Sequence, residues 1–74
     1  MNTQAFIGEL KDALGTSMRV EPDTVLADIP EWDSLSAMSV VTLLAAQFKV
    51  FLTLADLKEC VRVSDIVSKA GGDV

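Results

Sequence analysis

Between Thr3 and Leu14 the apolar residues Phe6, Ile7, Leu10, Ala13 and Leu14 recur at helical spacing, with Glu9, Lys11 and Asp12 on the other side. Asn2 or Thr3 can cap the start and Gly15 can end it, so the pattern predicts a first helix over residues 3 to 14. The period is then lost. Residues 16 to 33 hold both prolines, several acids and the scattered apolar residues Met18, Val20, Val25, Leu26 and Ile29. That composition suits a long loop pinned to a core, with a short turn near residues 23 to 27. Pro22 and Pro30 stiffen it by fixing their own φ. A connection of this length in so short a chain is usually functional, or else hides a misassigned element.

Period and density both change at residue 34. Leu35, Met38, Thr42, Ala45 and Phe48 form one stripe, and Val40, Val41, Leu43 and Leu44 widen it almost all round. The valines would also suit a strand, but the long run without Gly or Pro favours a second helix, capped by Asp33 or Ser34 and ending near residue 48. "KVFL" is a short linker with apolar anchors. "TLAD", residues 53 to 56, fits a capping box of Thr53 with Asp56 and opens a short third helix over residues 54 to 59. Ser64 is placed to cap a last helix, Asp65 to Ala70, which "GG" ends; the two glycines argue against order in the tail after Gly71. The expected fold is all-α, a small four-helix bundle. It has three main helices and one short, a long loop between the first and second, and residues 1–74 in a single domain.

Composition narrows the chemistry. The chain has 74 residues, 50% of them hydrophobic, which is enough for one small core. It has no histidine and no tyrosine, which removes a Ser–His–Asp or Cys–His triad. The lone cysteine, Cys60, can form no internal disulfide and suits a buried thiol in a reducing compartment. No secretory signal is visible in "MNTQAFIGEL", and the most apolar window, Leu35 to Phe48, is too short to cross a bilayer. A soluble, cytoplasmic protein is expected, without membrane insertion and acting as a monomer. Eleven acids face six bases, a net charge of −5, so there is no basic stripe for nucleic acid, and a DNA-binding helix-turn-helix is disfavoured. Five of the acids, Glu21, Asp23, Asp28, Glu31 and Asp33, crowd the end of the loop, while residues 34 to 48 hold no charge.

These patterns meet at "EWDSLSAM", residues 31 to 38. Ser34 would sit exposed at the start of the second helix, where a phosphate ester is tolerated beside free amides and a positive dipole end. Nothing nearby could activate it for catalysis. Two meanings stand side by side: a plain helix cap, which "DS" before an apolar run provides in many unrelated proteins, or a handle for modification.

Almost the whole chain resembles the acyl and peptidyl carrier proteins. The residues that bear the resemblance are "FIGELKDALG", "IPEWDSLSAMSVVTLLAAQF" and "LTLADLKECVRVSDIVSKAG". The resemblance implies that Ser34 receives a 4′-phosphopantetheine arm from coenzyme A, and that the arm's thiol holds acyl or aminoacyl groups as thioesters. It implies that Asp33 helps a phosphopantetheinyl transferase place its magnesium and coenzyme A, and that Leu35 docks against that transferase. Phe48 matches the aromatic that closes the second helix in many members. The implied partners are that transferase, an acyl- or aminoacyl-loading enzyme, and a downstream synthase or transferase. Such a carrier is a substrate of enzymes rather than an enzyme.

One departure separates this chain from the carriers of fatty acid synthesis, which display several acids along the second helix. At the matching positions, expected to be exposed, it has Ser36, Ser39, Ala45, Ala46 and Gln47: either drift in an ordinary carrier whose acidic loop still does the steering, or a dedicated carrier whose partner meets a largely neutral, apolar helix. "WDSL" also looks like standalone carriers of secondary-metabolite or cell-surface pathways. Trp32, Ser36, Met38 and Ser39 are the candidate partner contacts, though Trp32 equally suits a half-buried anchor for the loop. Met38, Val41, Leu44, Leu57, Val61 and Ile66 could line a space for cargo or simply form the core. Against the carrier stands a small helical interaction module, with residues 35 to 48 as an apolar docking helix and Ser34 a cap.

Overall fold

The computed structural model of the chain describes residues 2–71; the tail after Gly71 lies outside them. Four helices carry the fold among these residues: α1 (Thr3–Leu14), α2 (Ser34–Leu43), α3 (Leu54–Lys58) and α4 (Val63–Lys69). α2 continues through one π-helical turn, Leu44–Phe48.

α1 has the termini its sequence predicts. The Asn2 side chain accepts the Ala5 amide at 3.1 Å. Gly15 closes the helix in the left-handed region at φ 67°, its N–H donating to the Lys11 carbonyl at 2.9 Å. Phe6, Ile7, Leu10 and Leu14 are buried. Ala13 is not: it sits at the solvent edge of the stripe and lines a groove with Ser39 and Thr42 of α2.

α2 turns the other way from the stripe its apolar spacing picks out. Ala37, Val40, Leu43 and Leu44 are buried, with Val41 and Phe48 half-buried beside them. Leu35 and Met38 are 76% and 55% exposed, and Thr42 is exposed. Apolar residues occur on nearly every side of this helix, so periodicity cannot choose its buried face; packing against α1 and α3 does. At its end Lys49 adopts φ 56°, and Val50 N–H reaches back to the Leu44 carbonyl at 3.0 Å. Phe48 meets Phe6 of α1 edge to face, with ring centroids 6.1 Å apart.

The long loop is tied down twice. Val20, Leu26 and Ile29 enter the core, and its one 3-10 turn falls at Leu26–Asp28, at the end of the predicted turn region. Its backbone also pairs with the segment before α4. Leu26 N–H donates to the Val61 carbonyl (2.8 Å), Val63 N–H to Thr24 (3.1 Å) and Ser64 N–H to Pro22 (2.8 Å). Val25 and Arg62 form an antiparallel bridge, and the Arg62 guanidinium donates to the Asp23 carbonyl at 3.1 Å.

This pairing moves the start of α4. Ser64 is not its cap: the helix begins at Val63, and the Asp65 carboxylate accepts the Val61 and Arg62 amides at 2.9 Å each. The predicted box before α3 is present. Asp56 N–H donates to Thr53 Oγ1 at 3.1 Å, and Thr53 N–H to Asp56 Oδ2 at 2.9 Å. Leu57, Val63, Ile66 and Val67 are fully buried, and Cys60 is 9% exposed. No helix among the described residues is long and apolar enough to cross a membrane.

Candidate functional site

The turn into α2 assigns the capping role that the sequence leaves between two neighbours. Asp33 is the N-cap, with extended backbone at φ −151° and ψ −174°. Its Oδ1 accepts the Ser36 amide at 2.8 Å, while its own N–H donates to Ser36 Oγ at 2.8 Å. The Ser36 hydroxyl donates in turn to the Asp33 carbonyl at 3.1 Å, which also accepts the Ala37 amide at 2.9 Å. With the cap supplied by Asp33 and Ser36, Ser34 is the first helical residue. It is exposed, and its hydroxyl has no hydrogen-bond partner among the described residues.

The electrostatics follow from the cap. The amide of Ser36 foremost, then its hydroxyl and the Leu35 amide, hold the Asp33 carboxyl below its ordinary value. A carboxylate therefore stands next to Ser34 at neutral pH. No histidine exists to deprotonate the serine. Ser34 presents an exposed hydroxyl, and the carboxylate beside it, Asp33, is engaged as the helix cap.

Around Ser34 the candidate residues divide. Trp32 is half-buried and packs against the core, its backbone N–H donating to the Ile29 carbonyl at 3.0 Å. Leu35, Met38 and Ser39 stand exposed on the outward side of α2. The Ser36 hydroxyl is taken up by the cap. Ser36 and Ala45 are half-buried, whereas Ser39, Ala46 and Gln47 are exposed. The six residues considered for a cargo space are split: Leu44, Leu57 and Ile66 are fully buried, while Met38 and Val61 face solvent at 55% and 58% exposure.

A cleft of about 230 Å³ opens beside Ser34, lined by Trp32, Asp33, Ser34, Ala37 and Lys58. Lys58, the last residue of α3, is the participant that sequence reasoning missed. Nothing local connects position 58 to position 34; only the packing of α3 on α2 brings them to one cleft.

These residues fit a phosphopantetheine ester. The hydroxyl is exposed and unpartnered, its neighbours satisfy the helix terminus without it, and open space adjoins it. The chain matches the sequence model of the family described as "phosphopantetheine attachment site" over residues 4–69. No curated protein matches it significantly. Among solved structures it is similar to a Mycobacterium tuberculosis protein, Rv0033, assigned provisionally as an acyl carrier protein. The TM-score is 0.78, the identity 22%, and 93% of each chain is covered. At that identity the likeness speaks for the fold. Spanning 66 of the 74 residues, counted from 4 to 69, the family match identifies the chain as a member of the phosphopantetheine-attachment family, a carrier that bears its 4′-phosphopantetheine covalently and is not itself a catalyst.

Proposed function

We propose that Ser34 bears the arm and that the protein is an acyl carrier of a specialised pathway, making a secondary metabolite or a cell-surface lipid. The observation that carries this reading is the free Ser34 hydroxyl at the first turn of α2, beside a cap that works without it. A phosphopantetheinyl transferase joins Ser34 Oγ to the β-phosphorus of coenzyme A. The bond to 3′,5′-ADP breaks, the nucleotide leaves with the electron pair, and the serine proton passes to the transferase's base or to solvent. Asp33 meets the transferase's magnesium and coenzyme A, and Leu35 its apolar contact. Once attached, the arm supplies a terminal thiol on which an acyl group is held as a thioester.

The partner surface supports the specialised pathway. The outward side of α2 presents Leu35, Met38, Ser39, Thr42, Ala46 and Gln47, all exposed and uncharged. A loading enzyme and a downstream synthase or transferase would bind it by shape and apolar contact rather than by basic patches. A thiol-bearing arm also needs a reducing compartment, which we take to be the cytoplasm.

Intact mass spectrometry tests the attachment. Apo-protein incubated with coenzyme A, magnesium and a broad-specificity transferase gains one phosphopantetheine, located on Ser34 by fragmentation and absent from Ser34→Ala. A folded protein that gains nothing from several transferases makes the interaction module the better reading. The pathway is tested next: holo-protein that serves general fatty acid elongation enzymes as well as their own carrier does would end the case for a dedicated partner.

A further inference from the structure

The geometry points to Lys58 as the counter-charge of the prosthetic arm: its ammonium pairs with the phosphodiester on Ser34, while Trp32 and Ala37 wall the branched apolar segment that follows. This rests on Ser34 as the attachment residue. A phosphodiester adds a negative charge to a chain already at −5, and adds it next to the ionised Asp33. The start of α2 offers limited compensation, because the Ser36 amide already donates to Asp33 at 2.8 Å and the Ala37 amide to the Asp33 carbonyl at 2.9 Å. A cation nearby would offset the added charge.

Lys58 is placed to supply it. Arg19 is paired with Glu21 at 3.1 Å, Lys69 with Glu59 at 3.1 Å, and Arg62 is held by the Asp23 carbonyl at 3.1 Å. The side chains of Lys11, Lys49 and Lys58 have no ion pair or hydrogen bond among the described residues, and of the three Lys58 lines the cleft into which Ser34 opens. The cleft, at about 230 Å³, is smaller than the roughly 300–1,000 Å³ of sites that enclose a drug-sized molecule. It seats the root of the arm and leaves the thiol end outside. An exposed ion pair of this kind adds little stability and is screened by salt. Its consequence is direction: the arm leaves Ser34 toward α3, and the Leu35 and Met38 side of α2 stays clear for an enzyme.

The test compares full-length apo- and holo-protein, with the holo form verified by mass as modified on Ser34. Trp32 is the chain's one tryptophan, so its indole N–H signal in a proton–nitrogen correlation spectrum is unambiguous. In wild type that signal shifts on modification. The phosphorus resonance of the arm also moves as salt rises to about 1 M, where the Debye length falls to about 3 Å. Lys58→Met loses most of both effects, Lys58→Gln does the same, and Lys58→Arg keeps them. Equal apo-to-holo shifts in wild type and in both neutral variants would overturn the latch while leaving attachment intact. Absence of any mass gain on Ser34 would instead remove the attachment reading, and the latch with it.

Discussion

Asp33 and Ser36 hold each other across the first turn of α2: the carboxylate accepts the Ser36 amide and the Ser36 hydroxyl accepts the Asp33 amide, each at 2.8 Å. This reciprocal pair leaves the intervening Ser34 hydroxyl with no structural duty. The residue we propose as the attachment point is thereby separated from the residues that keep the helix closed.

Stability and modification should therefore respond to different residues. Ser34→Ala abolishes modification and moves Tm by no more than about 1–2 °C, because the lost hydroxyl has no partner. Asp33→Ala lowers Tm by about 5 °C, the order expected when a small domain loses an N-cap acceptor. Thermal melts followed by circular dichroism, with mass spectra of the transferase products, check both. A Ser34→Ala protein as destabilised as Asp33→Ala would make Ser34 part of the cap.

Acid should unfasten the helix starts. Amide donors hold the Asp33, Asp56 and Asp65 carboxyls below their ordinary values: Ser36 for Asp33, Thr53 for Asp56, Arg62 and Val61 for Asp65. Because the folded values are depressed, this stabilisation is complete above the unfolded value, about 4, and is lost as pH falls through the folded one. Asp56→Asn removes the charge from the α3 box. Its Tm deficit against wild type should be full near pH 6 and should close as pH falls through the lowered folded value of Asp56. A deficit unchanged in acid would assign the effect to something other than ionisation.

On α2, apolar residues a turn or two apart should differ sharply. Leu44 is fully buried and Leu35 is 76% exposed. Leu44→Ala should cost about 2–5 kcal/mol in urea unfolding, much of the roughly 4–11 kcal/mol expected for a domain of this size. Leu35→Ala should stay within about 0.5 kcal/mol. Similar losses at both positions would contradict the orientation of the helix.

Leu35 and Met38 should matter to enzymes instead. Leu35→Glu and Met38→Glu are expected to keep the wild-type Tm and to lower kcat/KM with the transferase or loading enzyme by about tenfold or more, the scale of one lost apolar anchor. Steady-state kinetics with the variants as substrates decide this. Unchanged kinetics for both would move the docking surface off this side of α2.

Cys60 should stay silent while the arm reacts. Burial, first of all, raises its thiol above the ordinary value, and its Sγ donates to the Asp56 carbonyl at 3.4 Å. At neutral pH an aromatic disulfide reagent should react slowly with folded apo-protein. A rapidly reacting thiol should appear on conversion to holo-protein, and Cys60 should react only on unfolding. Rapid labelling of the native apo form would show that Cys60 is accessible.

Several contacts between residues three or four apart were legible in the sequence. The Asn2 cap, the Gly15 terminus and the Thr53–Asp56 box are short-range hydrogen bonds, and they occur where their residue types place them. The family resemblance, carried along nearly the whole chain, made Ser34 the candidate without any coordinates, where "DSL" alone left a plain helix cap equally open. Three other features needed the tertiary structure. Which side of α2 is buried was open, because Leu35, Met38, Val40, Val41, Leu43 and Leu44 surround the helix and no charged side exists to choose against. The start of α4 moved from Asp65 to Val63, and its cap from Ser64 to Arg62, because the backbone at residues 61 to 64 pairs with residues 22 to 26, a contact that no local pattern encodes. Lys58 reaches the Ser34 cleft only through the packing of α3 on α2. Local hydrogen bonding is specified by nearest neighbours, whereas burial and long-range pairing are settled by the total packing of the chain.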